Sequence, residues 1–178
     1  MPRAPHQVSD CFVRRLGYDP GMANRWLALL GFVALTLLAA SLGGAATATS
    51  VGTWYQELAK PEWNPPRWLF GPVWTTLYLM MAVAGWRVWR HRENPERLPA
   101  LRWFFAQLAL NTLWSFLFFG LRRPDLAFIE IVVLWAAIVT TGLKFWRIDR
   151  PAALLWLPYV LWVSFASVLN GTVWWLNR

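Results

Sequence analysis

Cysteine and histidine are nearly absent from this chain of 178 residues, which has a single cysteine, Cys11, and two histidines, His6 and His91. A disulfide framework is excluded, and too few soft ligands remain for a zinc site or a cysteine-bound cluster, so no metal site is expected. Charge is also scarce. Asp, Glu, Lys and Arg together make up 15% of the residues, against about 25% in an average soluble domain. Carboxylates are the rarer sign, nine against 17 Lys and Arg, which leaves a net charge of +8. A nucleic-acid reader gathers its basic residues on one soluble face. Here they fall in short segments between apolar runs, so no nucleic-acid partner is expected.

What the chain has instead is apolar length. Hydrophobic residues make up 57% of it, 15 of them tryptophan. Crossing a bilayer takes about 20 apolar residues. Five runs approach that length, at residues 26–49, 69–86, 103–121, 126–145 and 152–176. The breaks are sharp: Lys60-Pro61-Glu62 and Asn64-Pro65-Pro66, then residues 90–97, then Arg122-Arg123-Pro124-Asp125, then Arg147-Ile148-Asp149-Arg150-Pro151. Proline removes a helical N–H and disfavours helix in the residue before it. The expected fold is an all-α integral membrane protein, a bundle of five transmembrane helices (about 26–49, 69–89, 101–121, 125–146 and 151–176) with a long structured first loop. The connections are short, so neighbouring helices run antiparallel.

Five spans put the N-terminus, second loop and fourth loop on one side, where twelve Lys and Arg fall against five on the other. The positive-inside bias then places the N-terminus in the cytoplasm, if the host is a bacterial inner membrane. Residues 1–21 read as a mobile polar tail rather than a signal peptide, because the apolar run that follows is long enough to span; Met22 is an alternative start.

The first loop, residues 50–68, carries four aromatics and three prolines. Prolines lower the entropic cost of holding a loop still. The composition fits a lid over a cavity, and equally an interfacial loop whose indoles lie among the headgroups. In the third span Trp103, Gln107, Asn111 and Trp114 recur at i, i+4, i+8 and i+11, a single face expected to point inward. For Gln107 alone, interhelical hydrogen bonding is sufficient explanation. Trp74 and Tyr78 form an aromatic ridge in the second span, and Pro158, Trp162 and Ala166 a stripe in the fifth. Glu130 sits about one turn into the fourth span, where a carboxylate is costly unless paired or near the interface. An ion pair with Arg122 or Arg123 accounts for it as well as a functional role does. Ala39, Ala40, Gly43 and Gly44 give two overlapping small-xxx-small patterns for close helix approach, within the bundle or across a homodimer.

The run Trp54-Tyr55, Lys60-Pro61-Glu62-Trp63-Asn64-Pro65-Pro66-Arg67-Trp68, then Pro72-Val73-Trp74-Thr75-Thr76-Leu77-Tyr78, closely resembles the translocator protein family, also called tryptophan-rich sensory proteins or peripheral benzodiazepine receptors. Gln107-Leu108-Ala109-Leu110-Asn111, Phe118-Phe119-Gly120, Leu157-Pro158-Tyr159 with Trp162, and Ala166-Ser167-Val168-Leu169-Asn170 extend the likeness over residues 26–177. The resemblance implies a dimeric five-helix bundle whose cavity under the first loop binds porphyrins, haem precursors and synthetic isoquinoline or benzodiazepine ligands. It implies ligand-site roles for Trp54, Tyr55, Trp74, Tyr78, Asn111, Trp114, Trp162, Ala166 and Leu169. Two positions depart from it. Gly171 and Trp175 stand where the sterol-associated segment of animal members has Tyr and Arg, which argues against tight sterol binding by that segment. Leu126 takes the place of a ligand-lining Trp, so affinity for the synthetic ligands is expected to differ.

A porphyrin is a flat apolar disc with two propionates, and its site needs ring faces for stacking and donors near the rim. Trp74, Tyr78, Trp114 and Trp162 supply the first; Asn111 and Arg67 offer the second. No intramembrane His or Cys is present to ligate iron, so porphyrin or haem is expected as a ligand and no cofactor as a requirement. The reading is a membrane receptor for porphyrins in tetrapyrrole or stress regulation. Three alternatives remain: light-dependent porphyrin degradation with Trp74 and Trp162 as electron donors, transport of tetrapyrroles, and signalling through a partner at the second loop. No acid–base pair or activated nucleophile accompanies the first. Trp135 has no assigned role.

Overall fold

The computed structural model describes residues 20–178, with side chains from Asn24 onward. The expected tail over residues 1–21 lies outside them except for Pro20 and Gly21, which are helical. Five long helices are joined by one long first loop and three short connections: α1 (Pro20–Ala48), α3 (Arg67–Arg90), α4 (Arg97–Ser115), α5 (Pro124–Ile148) and α6 (Arg150–Leu176). The four-residue α2 (Trp54–Glu57) lies in the first loop, and a π-helical turn, Phe116–Gly120, continues α4. Each long helix carries a stretch long and apolar enough to cross a membrane. In lipid an α-helix satisfies its own backbone, which is why apolar length alone dictates this class.

Residue chemistry fixes the helix ends. Pro124 opens α5 at a position where a missing N–H costs nothing. Between α5 and α6 only Asp149 is non-helical, and its carboxylate caps α6 by accepting from the Ala152 N–H at 3.1 Å. After the π turn, Arg122 takes a left-handed backbone (φ 55°) and turns the chain back into α5. Such a turn in non-glycine L-residues is uncommon and marks a constrained corner.

The helices pack in a ring ordered α1, α3, α6, α5, α4. Its interior holds Met81, Phe104, Phe145, Trp156 and Tyr159, all essentially buried, while Leu30, Leu38, Leu79, Ile129, Leu143 and Leu161 point outward. Close approach depends on small residues at two contacts. A Cβ at Gly85 would stand 2.9 Å from the Phe32 ring, and one at Gly171 2.8 Å from the Phe128 ring. Lipid tails are as apolar as leucine, so packing and interhelical hydrogen bonds hold such a bundle together.

The inward face of α4 differs from the expected one. Ala100, Phe104, Gln107, Leu108 and Asn111 are buried, but Trp103 is 41% exposed. Trp103 is one residue off the Phe104 stripe, and α4 turns about 100° per residue. Glu130 also departs from expectation. Arg123 pairs with Asp125 at 2.6 Å, and both Glu130 carboxylate oxygens are buried with no hydrogen-bond partner among the described residues.

Candidate ligand groove

The first loop is pinned at its middle, around Ala59 and Lys60. The Lys60 ammonium donates to the carbonyls of Tyr55 (2.6 Å), Leu58 (2.8 Å) and Gln56 (3.2 Å), closing off α2. The Asn177 side chain pairs with both the N–H and the C=O of Ala59 at 2.9 Å, clasping the end of α6 to the loop. The Tyr55 hydroxyl donates to Asn64 Oδ1 at 3.1 Å. Burial raises the Tyr55 phenol above its ordinary range, against the smaller lowering effect of Asn64. Burial likewise lowers the Lys60 ammonium.

Directly beneath the loop the space is filled by side chains. Trp54 and Tyr55 meet Phe118 edge-on, with centroids 5.8 and 6.1 Å away, and Trp114 stacks on it at 5.1 Å. Leu169 belongs to the same cluster. The Trp114 indole N–H donates to Asn170 Oδ1 at 2.9 Å, so its polar edge is engaged. The π turn gives Phe118 this position: one extra residue per hydrogen-bonded ring shifts the aromatic face relative to the helix before it.

A second group lies deeper. Trp74 packs against Tyr78 (5.6 Å) and Tyr159 (6.3 Å). The Tyr78 hydroxyl donates to Asn111 Oδ1 at 2.6 Å, Asn111 Nδ2 donates to the Tyr159 hydroxyl at 3.0 Å, and that hydroxyl donates to Gln107 Oε1 at 2.9 Å. Gln107 Nε2 completes the chain on the Phe104 carbonyl. Both amide atoms of Asn111 are thus engaged in a buried brace between α3, α4 and α6. Ala166 packs on the same core.

The open space lies to the side, between α3 and α6. It is a groove of about 550 Å³, within the range of small-molecule sites. Pro72, Thr76 and Met80 line it from α3, and Pro158, Trp162 and Phe165 from α6. The Thr76 hydroxyl is spent on the Pro72 carbonyl at 2.9 Å, which leaves an apolar wall. Helix-breaking proline is tolerated in a spanning helix where neighbours or a cavity accommodate the altered backbone, and here one proline stands on each wall. Trp162 meets Phe70 at 5.9 Å and Phe165 at 5.7 Å, and Trp63 of the loop meets Phe165 at 5.8 Å. The loop therefore reaches the groove through Trp63 rather than through Trp54 or Tyr55.

Of the nine expected site residues, the structure places Trp162 on the groove and divides the other eight between two packed clusters. Sequence reasoning passed over Phe165, Met80, Pro72 and Thr76. Their signal was present: Pro72, Thr76 and Met80 recur at i, i+4 and i+8, and Pro158, Trp162 and Phe165 at i, i+4 and i+7. Leu126, 38% exposed, is not among the groove-lining residues. Gly171, which departs from the sterol-associated pattern, leaves room for the Phe128 ring. Trp135, without a role from sequence, donates its indole N–H to the Ser164 hydroxyl at 2.8 Å and ties α5 to α6. Among the described residues no group of His, Cys, Asp and Glu is placed to hold a metal ion.

Five spanning helices around a satisfied polar brace, with an aromatic groove on one flank, define a multi-pass integral membrane protein of the helical-bundle class. The chain belongs to the TspO/MBR family, whose model matches residues 32–176. It is 42% identical to the tryptophan-rich protein TspO of Chlorobaculum tepidum over 88% of this chain and 99% of that one. It is 38% identical to protein CrtK of Rhodobacter capsulatus (85% and 95% covered) and 35% identical to the translocator protein of Bos taurus (88% and 94% covered).

Proposed function

We propose that this protein is a membrane receptor that holds a porphyrin-type ligand in the groove between α3 and α6, and that binding regulates tetrapyrrole or stress responses. The observation that carries the reading is the pairing of Trp162 and Phe165 on a groove of about 550 Å³. Ring faces suit a flat macrocycle, and Pro72, Pro158 and Met80 give the groove apolar walls. Arg67, exposed at the start of α3, is a candidate partner for a propionate. The basic end of the bundle faces the cytoplasm in this reading, and the functional unit is a homodimer.

Titrating the full-length protein in detergent with protoporphyrin, with quenching of tryptophan fluorescence as readout, tests the site. Trp162→Ala is expected to weaken binding about 2- to 10-fold through the lost ring contact. Trp135→Ala, on α5 and in contact with α6 through Ser164 rather than with the groove, is expected to leave it unchanged. Equal loss in both variants, or in neither, overturns the groove assignment. Illumination of bound porphyrin separates binding from degradation: identical product formation in wild type and Trp162→Phe leaves Trp162 no part as an electron donor.

A further inference from the structure

At the opposite end of the bundle a second recess, of about 790 Å³, is formed by the start of α1, the end of α3 with the turn after it, and the α5–α6 corner. Its charge is lopsided. Arg25, Arg87, Arg90, Arg92 and Arg150 line it with His91, against only two carboxylates, Asp149 and Glu93. Asp149 is already committed: it accepts from the Ala152 N–H, pairs with Arg87 at 3.1 Å, and lies 3.1 Å from His91 Nε2. Arg25, Arg90, Arg92 and Arg150 have no carboxylate partner among the described residues.

Three of those four guanidinium groups are held by rings rather than by anions. Arg90 lies over Trp86 at 4.9 Å, Arg92 over Trp89 at 4.7 Å and Arg150 over Trp146 at 5.6 Å. Stacking orients a guanidinium and leaves its N–H fork free to bind an oxyanion, bidentately where geometry allows. Like charges gathered around one recess repel until an anion enters. The recess also sits where the spans end, at Asn24, Arg90, Ile148 and Arg150, which is the depth of lipid headgroups. Basic pockets between spanning helices at that depth suit anionic headgroups.

We propose that this recess binds the phosphate group of an anionic phospholipid, with Arg25, Arg90, Arg92 and Arg150 as its donors and Trp89 as its wall. The shared chemistry, a phosphate oxyanion, could also come from a soluble phosphate, so the experiment has an arm for each. Full-length protein in uncharged detergent is titrated with phosphatidylglycerol or phosphatidylcholine, and bound lipid is counted by native mass spectrometry. Phosphatidylglycerol is expected to bind about tenfold more tightly or better. The double variant Arg90→Gln, Arg92→Gln is expected to lower that affinity about 30-fold, the worth of two headgroup-level arginines. Arg122→Gln with Arg178→Gln, at the other end, is expected to leave it unchanged. Equal loss from both pairs reduces the effect to net charge and overturns the site. Displacement of the lipid by inorganic phosphate at matching concentration overturns the lipid assignment in favour of a soluble ligand. An unaltered protoporphyrin titration in the Arg90, Arg92 variant verifies folding and keeps this test separate from that of the groove.

Discussion

The hydroxyl of Tyr159 bridges two α4 amides, accepting from Asn111 Nδ2 at 3.0 Å and donating to Gln107 Oε1 at 2.9 Å. Polar groups in a bilayer must find partners inside the protein, and this chain of bonds gives each member one. Tyr159→Phe strips a partner from both amides at once. A stability loss of about 1–2 kcal/mol is expected, read as a lower melting temperature in detergent. Protoporphyrin affinity is expected to change little, since the brace lies behind the groove; a selective loss of affinity without loss of stability would show Tyr159 to be a ligand contact.

Met80 carries the one sulfur atom on the groove's lining, and no histidine accompanies it there. A lone thioether is a weak hold on haem iron compared with the paired axial ligands of cytochromes. Metal-free protoporphyrin and haem are therefore expected to bind with similar affinity. A haem preference of tenfold or more that disappears in Met80→Leu would replace stacking by coordination as the main mode.

Asp149 gives the bundle an acid-sensitive corner. Burial alone would raise its carboxyl, but the Ala152 N–H, His91 and Arg87 outweigh that and hold it below its ordinary value. A depressed folded value means that the stabilisation is fully present above the unfolded value of about 3.9 and disappears as pH falls through the folded one. Thermal stability is expected to drop below about pH 4, and Asp149→Asn to remove part of that dependence while lowering stability at neutral pH. An unchanged acid profile in the variant would assign the dependence elsewhere.

The two small-residue pairs of α1 face different ways. A Cβ at Gly43 would stand 3.0 Å from Ser115 Oγ, whereas at Gly44 nothing lies within 4 Å. Gly43→Leu is expected to cost about 1–3 kcal/mol by overpacking the α1–α4 contact. Gly44→Leu is expected to spare the monomer and shift any dimer toward monomer, as measured by light scattering; a dimer unmoved by Gly44→Leu places the interface away from that surface.

Sequence marked the spans clearly and their facing poorly, for a single physical reason. Lipid-facing and interior residues are both apolar, so helical periodicity that would separate core from surface in water is blurred in a membrane chain. Spacing with Gln107 and Asn111 predicts an interior position for Trp103, yet it lies on the outside with Phe105. Polar residues were the better guide: Gln107 and Asn111 had to find partners, and both are buried.

Length, proline and charge determined the number of helices, their ends and the asymmetry between the two ends of the bundle, because apolar length and backbone satisfaction leave a bilayer-spanning chain few choices. Tertiary structure alone decided what the tryptophans do. Trp114 is spent on Phe118 and Asn170, Trp74 on the Tyr78 and Tyr159 rings, and Trp135 on Ser164, while Trp162 stands at an open groove. Which indole keeps a free face depends on ring packing order and on the register of the π turn, and both arise from contacts between residues far apart in the chain.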